Sequence, residues 1–535
     1  MTLIEEFRAL ARAEGLEEAF PPAVLAEVER LRAAPGLDDP ALADLRALPF
    51  VTIDGPLTRD LDQAVYVEPR GDRYRLLYAI ADAAYYVAPG TALLAEALRR
   101  GASFYFPGFS IPMLPRALSE GLVSLNADCD RRALVFDVAL DAAGGIERFV
   151  LTRARIRSRQ KLTFDEVEGL LADPKGSPLA RAPFAGSLRR LCEVGDKRVH
   201  HEDRKQMVRF QRAEAEVSLA PDGSLLVAEG PRGRVELANE QVSILCNALG
   251  ARLLAGSDPA QIQPIYRVHA PPEPERVATF ERLVGRVAKA RGLPDDPWLY
   301  RRAAEAGLAG YLEALPSTGP GARLARALHR QAMLLNGRSV FQAEPSAHFG
   351  VGEAIYARFT APMREIVGVF CHKEALERLG KQRSRPRAED EALRTAVIEA
   401  ANRSKDIQRR LAREVDRRVV RALLEPDLAR PVAARPLRKG TVMGIAGSKV
   451  HVLLDHPPID VKVALRDQGA DLGGAWLEGV DEGEKLVVKG KTRVICRLGD
   501  EVSLRAIGPE AAVMVDPSGS SEGPSTRAGG APRRP

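Results

Sequence analysis

Cysteine is scarce: five in 535 residues (Cys129, Cys192, Cys246, Cys371 and Cys496), odd in number and scattered. That spacing fits neither a disulfide framework nor a zinc set, and predicts free thiols in a reducing, cytoplasmic compartment. Long apolar runs are missing too, since no stretch approaches the roughly 20 residues a membrane helix needs. The start, Met1-Thr2-Leu3-Ile4-Glu5-Glu6-Phe7, brings acid in early and has no basic opening, which is not a secretory pattern. No internal repeat is present.

What is there describes a soluble globular protein, 45% hydrophobic and 28% charged. The length fits two to four domains, or one large catalytic domain with small attachments. A net charge of +6 and a pI near 9.0 agree with an anionic partner. An Arg-rich, Ala-rich composition gives the same balance, so charge alone decides little.

Texture changes along the chain. Residues 1–45 read as one or two short helices, with Leu3, Phe7 and Leu10, then Val24, Val28 and Leu31, near helical spacing and Pro21-Pro22 between them. From Phe50 short β-rich runs begin, such as Phe50–Ile53 and Tyr74–Ile80, with a turn at Gly71-Asp72. Helical patterns dominate from about 235 to 425, over Glu236–Leu254, Pro274–Ala290 and a charged helix around Ala396–Leu424. Short strands return after Arg438, at Thr441–Met443, Val450–Leu454, Lys485–Val488 and Val502–Leu504, and suggest a small OB-type barrel. The Gly- and Ser-rich end is too polar to fold.

The chemistry concentrates in Thr52-Ile53-Asp54-Gly55-Pro56-Leu57-Thr58-Arg59-Asp60-Leu61-Asp62-Gln63. Asp60 and Asp62 share a face of an extended chain, and Gly55-Pro56 can fold Asp54 back beside them. Clustered carboxylates suit Mg²⁺ and metal-assisted phosphodiester cleavage. Aspartates in loops more often cap turns, so the spacing alone is weak. The blocks that follow give it weight: Ala79-Ile80-Ala81-Asp82, Phe104-Tyr105-Phe106-Pro107, Ile111-Pro112-Met113-Leu114-Pro115, Leu122-Val123-Ser124-Leu125, Glu240 through Asn247, Tyr266-Arg267-Val268-His269, His348-Phe349-Gly350, and Phe359-Thr360-Ala361-Pro362-Met363-Arg364.

In that order, over about residues 45 to 425, these blocks resemble the RNB domain of the ribonuclease II / ribonuclease R family, closest in motif detail to bacterial ribonuclease II. The resemblance implies an α+β fold, an RNB catalytic domain with a mixed β-sheet core and surrounding helices, plus a C-terminal OB-type β-barrel. The expected division is a helical segment over 1–45 without cold-shock barrels, the RNB domain over 46–430, an S1-type OB barrel over 431–512 and a disordered tail over 513–535.

The implied activity is processive 3′→5′ hydrolysis of single-stranded RNA to nucleoside 5′-monophosphates with Mg²⁺, for which Mn²⁺ can substitute, by a cytoplasmic monomer without membrane contact. By resemblance, Asp54, Asp60 and Asp62 bind metal, Asp62 being the most critical for cleavage. Arg364 supports transition-state charge, Tyr105 and Phe210 stack on the last bases, and Glu240 contacts the terminal ribose. His269, His348 and His372 read as packed or hydrogen-bonded side chains, because their separations form no zinc set. Gln63 stands where the family has a fourth aspartate and is expected to ligate through its amide oxygen. Glu365, Ile366 and Gly368 depart from the residues that usually follow the arginine. Those departures leave a catalytically weak or inactive RNA-binding protein as the alternative, and an unrelated small-nucleotide phosphohydrolase is disfavoured by the stacking aromatics and the barrel.

Overall fold

Gly71-Asp72 closes a two-residue turn, Gly71 sitting at φ +67°, where a side chain would strain the backbone. The turn joins two of the strands that form the core sheet. Those strands are β1 (Ala43–Asp44), β2 (Phe50–Ile53), β3 (Gln63–Arg70) and β4 (Arg73–Ala81). A small hairpin follows, β5 (Phe104–Phe106) and β6 (Phe109–Ile111), and then come β7 (Asp130–Leu140) and β8 (Ile146–Leu162). The sheet order is β1-β8-β2-β3-β4-β7, with β7 also paired to β8. β8 pairs antiparallel with β7 over its first part and parallel with β2 over its last, so the mixed sheet curls back on itself. β4 turns wholly apolar from Leu76 to Ala81 because it is covered on both faces.

This computed structural model describes residues 2–201, 216–220, 223–228, 232–258, 260–302, 307–380 and 386–515. The chain divides into two compact units: Met1–Ala278 with Tyr300–Ala314 and Ala332–Arg417, and Thr279–Leu299 with Leu315–Gln331 and Arg418–Pro535.

In the first unit, helices Leu3–Ala13 and Pro22–Ala33 occupy the N-terminal segment, the former opened by a Thr2/Glu5 capping box. Phe7, Val24 and Val28 are buried. Further along, β9 (Glu216–Leu219) pairs with β10 (Leu225–Ala228), and β11 (Tyr266–Val268) with β12 (Val340–Gln342). Helix Arg234–Ala255 is apolar on nearly all sides and buried through its middle. At Gly250 a Cβ would lie 2.4 Å from the Phe359 ring, so glycine lets this helix approach the chain that leads to Arg364.

The second unit carries β13 (Arg438–Ala446), β14 (Lys449–Leu454) and β15 (Asp460–Ala464). After helix Leu465–Asp471 come β16 (Leu477–Val480), β17 (Lys485–Val488) and β18 (Val494–Arg497), then β19 (Glu501–Gly508) and β20 (Ala511–Val515). Five strands run in the order β15-β14-β13-β19-β20, the Greek-key arrangement of an OB barrel, with the helix after its third strand. β16–β18 form a separate antiparallel ribbon between that helix and β19. β20 continues through Val515, past the 512 boundary read from the sequence. The unit also draws in 279–299 and 315–331, where Arg291 pairs with Asp500 at 2.7 Å and Arg323 with Asp455 at 2.7 Å. Such internal ion pairs have no local sequence pattern.

Candidate active site

Two backbone hydrogen bonds and two side chains hold the aspartate loop. Asp54 N–H donates to the Leu162 carbonyl at 3.0 Å, and the Asp62 carbonyl accepts from Ala81 N–H at 2.8 Å. Between them, Lys161 Nζ donates to the carbonyls of Pro56 at 2.9 Å and Thr58 at 2.6 Å. Ser124 Oγ donates to the Arg59 carbonyl at 2.7 Å and accepts from Leu61 N–H at 3.0 Å. Ser124 falls inside a block read from the sequence, but nothing there announces its role. No sequence signal points to Lys161.

The second half of the site is built by Asn247. Its Oδ1 accepts from the backbone N–H groups of Phe359 at 2.6 Å and Thr360 at 3.1 Å. Its Nδ2 donates to the Tyr356 hydroxyl at 2.9 Å and to Thr360 Oγ1 at 3.0 Å. A buried amide saturated in this way fixes the turn that delivers Met363 and Arg364.

The two halves meet at Asp62, which is fully buried. Its carboxylate accepts from Met363 N–H at 3.0 Å and from Arg364 Nε at 2.6 Å. Burial outweighs the arginine and lifts the Asp62 carboxyl to about 6. Asp54 is raised as well, by burial first and then by the negative charge of Asp60, with Arg364 opposing. Burial pulls the Arg364 guanidinium down, but Asp62, Tyr105, Asp60 and Asp54 together hold it above its ordinary value. The three aspartates and the arginine therefore form one electrostatic group. Tyr105 projects from the β5–β6 hairpin with 60% of its surface exposed, and its hydroxyl donates to Asp60 at 3.2 Å. Next to them opens a cavity of ≈ 240 Å³ whose wall includes Tyr105, Arg358, Thr360, Arg364, Glu365 and Gln63.

Gln63 faces that cavity with its amide engaged. Nε2 donates to the Thr360 carbonyl, and Oε1 accepts from the buried Tyr78 hydroxyl. Glu365 is neutralised rather than opposed to the arginine. It accepts from Arg358 Nε at 2.9 Å and Lys405 Nζ at 2.8 Å. Against burial, Arg358, Lys405 and Arg267 hold its carboxyl well below the usual range. Glu240 pairs with Arg232 at 3.3 Å, one helical turn before Ser243, which lines the cavity. Phe210 lies outside the described residues.

The histidines do pack or bond. His269 Nδ1 accepts from Gly350 N–H at 3.0 Å, His372 Nε2 donates to the Phe359 carbonyl at 2.9 Å, and buried His348 lies between the rings of His269 and Tyr356. All five cysteines are free.

Hard carboxylate oxygens are the donor chemistry of Mg²⁺ or Mn²⁺, so Asp54, Asp60 and Asp62 fit such an ion. Among the described residues, however, only Glu374, Glu377 and Asp390 bring three ligand atoms within 4.8 Å of one another. There a cation is already in place: Lys373 Nζ lies 2.7, 2.8 and 2.8 Å from their oxygens. The carboxylates of Asp54, Asp60 and Asp62 do not come that close together, and Asp62 is held by Arg364.

Fold and site define a mixed α/β domain in which an aspartate loop and an arginine turn converge on a polar cavity. The chain belongs to the RNB family, whose RNB domain model matches residues 42–374. It is 32% identical over 353 residues to ribonuclease R of Vibrio cholerae, covering 64% of this chain and 40% of that protein. It is also 32% identical over 383 residues to exoribonuclease 2 of Cronobacter sakazakii, covering 70% of this chain and 55% of that protein. The fold matches Mycoplasma genitalium RNase R in complex with ribose-methylated single-stranded RNA, with TM-score 0.83, 19% identity, and coverage of 96% of this chain and 78% of that one. The chain spans about half the length of the curated relatives it matches. RNB-family nucleases are metal-dependent.

Proposed function

We propose that this chain is a 3′→5′ exoribonuclease that hydrolyses single-stranded RNA processively to nucleoside 5′-monophosphates, as a cytoplasmic monomer using Mg²⁺ or, in its place, Mn²⁺. The observation that carries this reading is the 2.6 Å pairing of Arg364 with Asp62 at a cavity edged by Tyr105. Among the described residues no helix is long and apolar enough to cross a membrane.

In the reaction, water attacks the terminal phosphorus, the bond to the 3′ oxygen breaks, that oxygen takes a proton, and a 5′-monophosphate leaves. The ion supplies Lewis-acid polarisation of the phosphoryl group, and Asp54, Asp60 and Asp62 would hold it. Arg364 stays protonated and offers guanidinium N–H groups to the charge that builds on phosphate oxygens. Asp62 sets the direction of that guanidinium through Nε. Tyr105 offers an exposed ring to the terminal base, and stacking is indifferent to base identity, as a non-specific nuclease requires. Glu240 would accept from the terminal 2′-hydroxyl after exchanging its Arg232 partner, which favours RNA over DNA. Phe210 is assigned the second stacking position. The barrel of the second unit serves as the RNA clamp.

A 5′-labelled single-stranded RNA incubated with protein and Mg²⁺ tests this reading, and shortening from the 3′ end with release of mononucleotides is expected. The second reading, a weak or inactive RNA-binding protein, draws on Gln63, whose amide oxygen is already engaged by Tyr78. Binding without cleavage across Mg²⁺ and Mn²⁺ concentrations would establish it.

A further inference from the structure

Trp476 stands immediately before β16 and leaves 73% of its surface in solvent. Such exposure of the largest apolar side chain needs a reason, since burying it elsewhere would stabilise the fold. Its position is fixed. The Trp476 carbonyl accepts from Lys489 N–H at 2.7 Å, and the next pair in the ladder, Leu477 with Val488, is buried. The Trp476 backbone is thus held at the end of an ordered ribbon, with its indole in solvent.

The turn beside it is basic. Lys489-Gly490-Lys491-Thr492-Arg493 links β17 to β18, and all five residues are exposed. The turn is closed by Lys491 N–H to the Val488 carbonyl at 2.9 Å and Val488 N–H to the Arg493 carbonyl at 3.2 Å. Lys489 Nζ lies 5.9 Å from the Trp476 ring centroid. Glu478, two residues along from Trp476, is the acid on the same strand, so the patch keeps a net positive charge of two (three cations less one carboxylate).

We propose that Trp476 with Lys489, Lys491 and Arg493 is a binding site for single-stranded RNA, one base stacking on the indole while the adjoining phosphates meet the three cations. An exposed π-face beside unpaired cations is what a single strand recognises. A protein partner would need a broader apolar patch around the indole, and the exposed residues of the adjoining turn are three cations, a glycine and a threonine. The site lies on the β16–β18 ribbon, outside the five barrel strands. The inference rests on the reading of this chain as an RNA-binding enzyme.

Intrinsic fluorescence tests it, because the chain has two tryptophans and Trp298 is only 8% exposed. The full chain is titrated in EDTA with a single-stranded oligoribonucleotide, while anisotropy of labelled RNA reports binding separately. RNA should quench the wild-type emission, and Trp476→Leu should abolish the quench and weaken binding roughly 5- to 150-fold. Replacing Lys489, Lys491 and Arg493 together by Gln should reduce the slope of log affinity against log salt by about 2. Binding by anisotropy with no quench, or an unchanged salt slope in the triple variant, overturns this site and leaves the nuclease reading standing. Quenching that follows protein concentration without RNA also overturns it, in favour of contact between copies. No binding by either signal sinks the nuclease reading together with the site.

Discussion

Replacing Gln63 by Asp separates two roles that one side chain holds in this structure. The amide ties Thr360 to Tyr78, and position 63 follows Asp62 directly, where the resemblance puts a fourth carboxylate. Asp is one methylene shorter and has no donor, so the buried Thr360 carbonyl loses its partner, at a cost of about 1–3 kcal/mol. A fourth negative charge adds repulsion of the same order in the absence of a cation. The first unit should therefore unfold about 2–6 kcal/mol more easily in EDTA. Divalent cation reverses the balance, since affinity in such sites follows the number of charged ligands. Cation at 100 times Kd stabilises by about 2.7 kcal/mol, and a lower Kd enlarges that gain. Thermal unfolding with stepped Mg²⁺ should show a lower Tm without the ion and a larger Mg²⁺-induced rise than wild type. The Mg²⁺ concentration for half-maximal cleavage should fall. Equal Mg²⁺-induced shifts in the two proteins, with EDTA stability still reduced, would refute the reasoning: position 63 would then only anchor the Thr360 turn.

Asp62→Asn removes the charge that holds Arg364 and turns one of the two accepting oxygens into a donor, and kcat should drop by about 10²–10³-fold with RNA binding nearly retained, as single-turnover cleavage and anisotropy would report. Tyr105→Ala should lengthen the limit products on a sequencing gel, while Tyr105→Phe, which keeps the ring and loses only the bond to Asp60, should leave them unchanged. Glu365→Gln leaves Arg358 and Lys405 without their shared counter-charge and should cost about 1–2 kcal/mol, discounted for their partial exposure. Because the Glu365 carboxyl is held low in the fold, that difference is present at neutral pH and shrinks as pH falls below the ordinary carboxylate range, which denaturation at pH 7 and pH 3.5 would show. His348 loses stability on acidification too, but in a higher window: burial drops its imidazole to about 3, so the folded form resists protonation and stability is lost as pH falls from 6.5 toward that value. Wild type should lose about 2 kcal/mol relative to His348→Phe between pH 8 and pH 5, and parallel stability curves would count against a neutral buried imidazole.

Local patterns were legible where one residue type has one physical use. The Gly71-Asp72 turn, the helical periodicity from 235 to 425 and the short strands after Arg438 each appear as elements because turn geometry and face burial leave a periodic trace. The aspartate loop and the Pro-Met-Arg turn were legible as motifs, yet their meeting was not, because 302 residues separate Asp62 from Arg364 and no spacing rule spans that distance. The partners of Glu365 are another thing that only geometry supplies. In the sequence this residue is only a departure beside Arg364, whereas in the structure Lys405, from a distant helix, and Arg358 absorb its charge and leave the guanidinium of Arg364 to Asp62. Gln63 carries the same lesson in the other direction. Its place in the motif pointed to a ligand, and its hydrogen bonds show that the amide supplies something a carboxylate cannot: a donor to the Thr360 carbonyl. The fourth acid of the family pattern is thus exchanged here for a strut between the two halves of the site, and the metal titration of Gln63→Asp decides whether that strut is also a ligand.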